Sequence, residues 1–228
     1  YSAKVALWDR GHDGAGVLVA VVDSGVEATN PHFSPPGEPS AIQPGTSLVP
    51  VGPVTQEGVQ AQGLRDPQGH GTPVAGIIAA RRIDGSGAIG LAPAATILPV
   101  QVYLVAPSDD TRLTPAFPNA DQLARGIRYA ADAGARIITV AMSQSAPDPA
   151  LEAAVAYAHD KGALVVASAG DRVTAADTAD SPRYPAAYPG VLSVTAVTAS
   201  GQVSQASIHG DHVGVAAPGE RITTAYGK

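Results

Sequence analysis

Six consecutive residues, Val17-Leu18-Val19-Ala20-Val21-Val22, are apolar, and an aspartate follows at once. A strand with one wet face alternates apolar and polar residues. An unbroken run belongs to a strand buried on both faces, the condition of a parallel sheet between helical layers. Five further strand-like stretches follow: Ile97–Val102, Ile137–Ala141, Leu164–Ala167, Leu192–Val197 and Val213–Ala217. Helical spacing separates them. One helix opens at His70 and runs to about Ala80. A second spans Ala120–Ala133, with Leu123, Ile127, Ala130 and Ala131 on one face and Gly134 as its stop. A third starts at Asp148-Pro149, buries Leu151, Ala154, Val155 and Ala158, and ends at Gly162. Strands alternating with helices of about a dozen residues predict an α/β fold, a mainly parallel sheet with helices on both faces. No repeat or linker interrupts residues 1–228, which read as a single domain. Ser2–Trp8 is a short amphipathic stretch closed by glycines. Pro99 lacks a ladder donor and predicts an edge or a bulge in its strand. The stretches 31–67 and 106–119, rich in turn formers, read as surface loops, the first with one short strand.

Composition narrows the function. With 45% hydrophobic and only 4% aromatic residues, the core must be built from Ala, Val, Ile and Leu. The formal charge is −6 and no Lys/Arg cluster is present, which argues against nucleic acid as a partner. Cysteine is absent, so disulfides, thiol nucleophiles and thiolate metal sites are excluded together. No apolar run approaches the ~20 residues that span a bilayer. The chain starts at Tyr1 without a leader-like segment, as expected of a mature or trimmed form.

Two residues carry chemistry. Asp23 stands at the carboxyl end of the first strand, where open α/β sheets place functional groups. His70 stands between two glycines at the start of a helix, held firmly yet able to face a cleft, as a general base must be. An aspartate that accepts the imidazole N–H fixes the tautomer and stabilises the imidazolium formed during acyl transfer. Each residue alone has a plainer reading, an Asx-turn and a helix cap. Asp66 reads either as a cleft-lining carboxylate favouring a basic substrate side chain or as an Asp-Pro turn.

Val21-Val22-Asp23-Ser24-Gly25-Val26 and Gly69-His70-Gly71-Thr72-Pro73-Val74-Ala75-Gly76 resemble the aspartate and histidine motifs of the subtilisin-like serine proteases. The resemblance runs from about Val17 to Gly219. It implies the subtilisin-like three-layer sandwich and a serine endopeptidase using an Asp-His-Ser triad, with Asp23 and His70 as two catalytic members. Thr139–Ser143 resembles the strand that pairs with the substrate backbone, so Ser143, Gln144 and Ser145 are implied in substrate binding. Gln144-Ser145 replaces the usual Leu-Gly, and Ala146 a second Gly, which narrows the specificity pocket. Ser168, Ala169 and Gly170 resemble that pocket's other wall. Pro185–Val191 and Val215–Gly219 resemble the family's Pro-Ala motif and the stretch leading toward the nucleophile. Ile97–Val100, Ser207–Gly210 and Val215–Gly219 are most similar to mycosins, subtilases associated with type VII secretion.

Two positions depart from the family pattern. Asp171 stands where the family has an asparagine that donates to the oxyanion, and an ionised aspartate can only accept. No Gly-Thr-Ser-x-Ala follows Gly219 in the nine residues to Lys228. Gly45-Thr46-Ser47 precedes His70, against the Asp, His, Ser order, and Ser47 reads as a loop residue. The resemblance therefore leaves two expectations. One is an endopeptidase whose serine is not found in this chain. The other is a catalytically inactive scaffold or binding subunit beside a secretion complex. The expected partner is a polypeptide substrate, and the expected location is secreted or extracytoplasmic, with any membrane anchor outside these residues. No cofactor or metal centre is expected: His209 and His212 with Asp211 read as a solvated turn. A structural calcium would have only Asp109, Asp110, Asp177 and Asp180 to draw on, without a complete oxygen-ligand loop.

Overall fold

The computed structural model describes residues 2–49, 62–103, 118–172 and 180–226. Its strands are β1 (Leu18–Asp23), β2 (Thr46–Ser47), β3 (Thr96–Gln101), β4 (Ile137–Val140), β5 (Leu164–Ser168), β6 (Val191–Val197) and β7 (Val215–Pro218). They form one sheet in the order β2-β3-β1-β4-β5-β6-β7, every pair parallel. The order turns back at β1, which has β3 on one side and β4 on the other. Such a reversal leaves a crevice at the carboxyl ends of the strands, and Asp23 is the last residue of β1.

Among the described residues the helices are α1 (Ser2–Trp8), α2 (Gly71–Ala79), α3 (Ala120–Asp132) and α4 (Pro149–Asp160). Local chemistry fixes the ends of α3 and α4. Asn119 Oδ1 accepts the Gln122 N–H at 2.8 Å, and Gln122 Oε1 accepts the Asn119 N–H at 3.2 Å, a reciprocal capping box. Asp148 Oδ1 accepts from the N–H of Ala150 at 2.9 Å and of Leu151 at 3.0 Å, with Pro149 at the first helical position. Both helices cover the first sheet face, where Leu98, Leu123, Ile127, Ile138 and Leu151 are fully buried. The second face is closed over β1 and β3 by α2 and by Phe33, Ala41 and Ile42. Over β4 to β7 it is open. Ile137, Thr139, Val166 and Val194 are half-buried, and Leu164 and Val215 are exposed, with no helix over them among the described residues.

The predicted strands and helices are present, most ends within a residue or two, and β7 begins at Val215 rather than Val213. The segment 31–67 is more than surface loop. Phe33 and Ala41 are buried, and the backbone is tied down: the Ala41 N–H bonds Phe33 O at 2.7 Å and the Ile97 N–H bonds Ala41 O at 2.8 Å. An irregular segment can enter a core once its own amides find partners. Ser47 belongs to β2, not a loop, and its hydroxyl donates to Gln101 Oε1 at 2.7 Å. Pro99 lies on an inner strand, at a bulge in its neighbour. Ile42 pairs with Ile97 and Thr46 with Val100, so the neighbour takes four steps to three. The stretch lengthened by this one residue passes Pro99 closely: a Cβ on Gly45 would lie 1.8 Å from Pro99 O. The predicted loop 106–119 falls almost wholly outside the described residues.

Candidate active site

The end of β1 and the start of α2 meet through one pair of side chains. His70 Nδ1 lies 2.8 Å from Oδ1 and 2.9 Å from Oδ2 of Asp23. The carboxylate is fully buried, and Oδ1 also accepts the Ser24 N–H at 2.7 Å. The imidazole is 46% exposed. With Nδ1–H given to the carboxylate, Nε2 carries the lone pair and has no hydrogen-bond partner among the described residues, the tautomer a general base needs. The hydrogen bond to Asp23 raises the His70 pKa above 6.5; burial opposes the rise, and the charges of Asp23, Asp66 and Asp171 add to it. His70 occupies the N-cap position of α2 but makes no capping bond, so the plainer reading as a helix cap fails. The glycine after it is required by space. A Cβ on Gly71 would lie 2.1 Å from Gly25 O and 3.1 Å from Asp23 Cβ, so any side chain would push the two motifs apart.

Beside α2 runs a groove over the open half of the sheet. Ile77, Thr139, Ala141, Val166, Val194 and Ala217 supply much of its apolar lining. Ser168 and Asp171 line it too. Asp171 is held from both sides: the Ile208 N–H bonds Gly170 O and the Arg172 N–H bonds Ala206 O, each at 2.8 Å. Its carboxylate is exposed, yet near enough to His70 for its charge to be felt there.

A buried carboxylate orienting a half-exposed imidazole at a switch-point crevice is an arrangement for proton transfer. The sequence profile of the Subtilase family matches residues 14–228. The chain belongs to the subtilase family. It is 34% identical to thermitase of Thermoactinomyces vulgaris, over 96% of this chain and 68% of that protein. It is also 34% identical to mycosin-3 of Mycobacterium tuberculosis, over 92% of this chain and 50% of the relative. Among solved structures, MycP1 from Mycobacterium smegmatis superposes with a TM-score of 0.75 at 28% identity, covering 99% of this chain and 63% of that one. The chain thus spans between half and about two thirds of these relatives.

The other residues singled out from sequence are distributed unevenly over this subtilase fold. Ala169 is buried, its N–H bonded to Val194 O at 2.9 Å, and Ser168 Oγ accepts the Gly170 N–H at 3.2 Å. Gln144 pairs with Tyr184 through two backbone bonds of 2.9 Å, and its side-chain amide donates to Ala146 O. Ser143 and Ser145 flank it, outside the apolar lining of the groove. Asp66 opens the Asp-Pro turn, the Gly69 N–H bonding its carbonyl at 3.2 Å, and does not line the cleft: its side chain is buried and bonded to Ser24, Gly69 and Thr72. Sequence reading missed this role, although an acidic residue two positions beyond the usual capping window of α2 was a usable signal. Asp180 is bound by Arg172 at 2.6 Å, which lowers its pKa, and His209 Nε2 accepts from Arg172 at 2.9 Å. His209, His212 and Asp180 are not part of any metal-binding cluster among the described residues. Asp109, Asp110 and Asp177 lie outside the described residues.

Proposed function

We propose that this chain carries the acid–base half of a serine endopeptidase. The observation that supports it most is the Asp23–His70 contact, in which both carboxylate oxygens face Nδ1 and Nε2 has no hydrogen-bond partner among the described residues. In the proposed reaction a serine hydroxyl attacks the peptide carbonyl while His70 Nε2 takes its proton. The tetrahedral adduct expels the amine, which receives that proton, and leaves an acyl-enzyme. Water then repeats the cycle with His70 again as base. Asp23 keeps its negative charge throughout and stabilises the transient imidazolium.

The serine is not found in these residues, and in the proposal it comes from polypeptide outside them. In the family it begins a long helix, and the uncovered apolar half of the second sheet face offers a seat for one. Substrate would pair as an added strand along Ser143–Ser145. The backbone groups of Gln144 face Tyr184, so those of Ser143 and Ser145 face the opposite edge. Asp171 at the oxyanion position would need to be protonated to donate. That residue favours the second reading, an inactive subtilase fold kept for binding. The likeness to mycosin-3 and MycP1 supports an extracytoplasmic protein. The test uses the full-length protein and a serine-directed phosphonate. Labelling should depend on one serine and disappear in its Ser→Ala variant and in His70→Ala. Labelling that persists in both, or none in the wild type, overturns the endopeptidase reading.

A further inference from the structure

The residue at the N-cap of α2 is a histidine whose side chain is committed elsewhere. The first turn of a helix nevertheless needs acceptors for its free N–H groups. Asp66 supplies them from outside the helix. Its Oδ2 accepts the Thr72 N–H at 2.8 Å and the Thr72 hydroxyl at 2.6 Å. Its Oδ1 accepts the Gly69 N–H at 2.9 Å and the Ser24 hydroxyl at 2.7 Å. Ser24 Oγ in turn accepts the Gly71 N–H at 3.0 Å. One buried carboxylate therefore holds the chain before His70, the chain after it, and the residue next to Asp23.

We propose that Asp66 is a positioning residue for His70: it caps α2 in place of the histidine and locks the His70 turn to the Asp23 turn through Ser24. The proposal rests on reading His70 as the general base. Its physical content is a division of labour. A serine or aspartate at position 70 would cap the helix and could not be the base. A histidine there is free to act only because a carboxylate four residues earlier takes over the capping. That carboxylate also places a second negative charge near the imidazole, beside the half-positive helix terminus that would otherwise disfavour the imidazolium. Among the described residues, the other groups facing this site are Asp23 from β1, Asp171 from the turn after β5, and Tyr103 after β3. Burial and the Asp23 charge push the Tyr103 phenol up to about 12, so it stays neutral. Glu27, beyond Thr72, is paired with Arg65 at 3.1 Å.

A mere stabilising cap and a positioning residue give different results in the full-length protein. Asp66→Asn loses the charge and at least one acceptor. The expected result is a kcat lower by up to ~10²-fold with KM unchanged, the size of effect a small misplacement of a reacting group causes. The acidic limb of the pH–rate profile and the His70 imidazole titration followed by NMR should both move to lower pH. Ser24→Ala keeps both carboxylates and removes the link between the turns together with the Ser24 contact to the neutral Tyr103 phenol. It should lower kcat without moving the titration. If Asp66→Asn folds, as judged by circular dichroism, and leaves kcat and the titration unchanged, the proposal is overturned. If Asp66→Asn does not fold, Ser24→Ala decides, and an unchanged kcat overturns it. The imidazole titration needs no turnover. An unmoved titration therefore counts against Asp66 even if the protein proves inactive, and absence of turnover counts only against the endopeptidase reading.

Discussion

The second face of the sheet has two halves built to different standards. Over β1 and β3 it is closed: Val19, Val21 and Ile97 lie under α2 and Phe33, and the polar groups at its rim are saturated by short bonds around Asp23 and Asp66. Over β4 to β7 the same face is an apolar groove edged by an exposed carboxylate, Asp171. The closed half can fix a base to within a hydrogen bond's tolerance. The open half offers apolar surface and one backbone-held carboxylate, Asp171, but no paired imidazole. A proton-transfer pair needs preorganisation and so must sit in the first half. In the proposed reaction, the serine-bearing polypeptide that occupies the second half completes the site.

The largest effects should come from the closed half. Asp23→Asn turns the imidazole toward the wrong tautomer and should lower kcat of the full-length protein by ~10⁴-fold with the fold intact. Steady-state kinetics beside circular dichroism would check it, and a loss below tenfold would dissolve the distinction between the halves. The next largest belongs to the open half and has the opposite sign. Asp171→Asn replaces an acceptor with an amide donor, so kcat should rise by ~10²-fold, toward what one oxyanion donor is worth. An unchanged rate would show that position 171 does not face the developing charge.

Stability should divide along the same line. Ile97 is fully buried in the closed half, and Ile97→Ala should cost about 2–5 kcal/mol. Val166 lies on the same face in the open half, half-buried, and Val166→Ala should cost about 1 kcal/mol in residues 1–228. Urea unfolding of both variants gives the comparison. In the full-length protein the Val166 value should rise toward that of a covered core residue. Equal costs in the two lengths would mean that nothing seats on the groove.

The difference between the halves also decided what could be read from sequence. Continuous apolar runs marked the strands, and Asp148, Gly134 and Gly162 marked helix ends, because these signals act within a few residues. The Asp23–His70 pair spans 47 positions and was legible only because both motifs are long and specific. Phe33 and Ala41 were not legible as core, since an irregular segment has no period to betray its buried face. Asp66 escaped because its partners, Ser24 and Thr72, lie 42 positions before it and 6 after it, and a carboxylate before a proline reads first as a turn. The open face was equally hidden. A strand carries the same apolar run whether its second side is covered within the chain or by something else.

The smallest expected effect concerns pH, and its sign separates the halves once more. Folding raises the His70 pKa above its ordinary 6.5, chiefly through the Asp23 hydrogen bond. A proton is therefore bound more tightly by the folded chain than by the unfolded one. The stabilisation is fully present below about pH 6.5 and fades as pH rises through the higher folded value. The imidazole is nearly half exposed, so solvent screening keeps the amount modest. Urea midpoints of residues 1–228 should fall gently as pH rises above about 6.5, and His70→Gln should flatten that slope. Asp171→Asn removes one charge that favours the imidazolium and should shift the slope slightly to lower pH. A slope that survives in His70→Gln would assign the titration to another group and detach the closed half from the pH response.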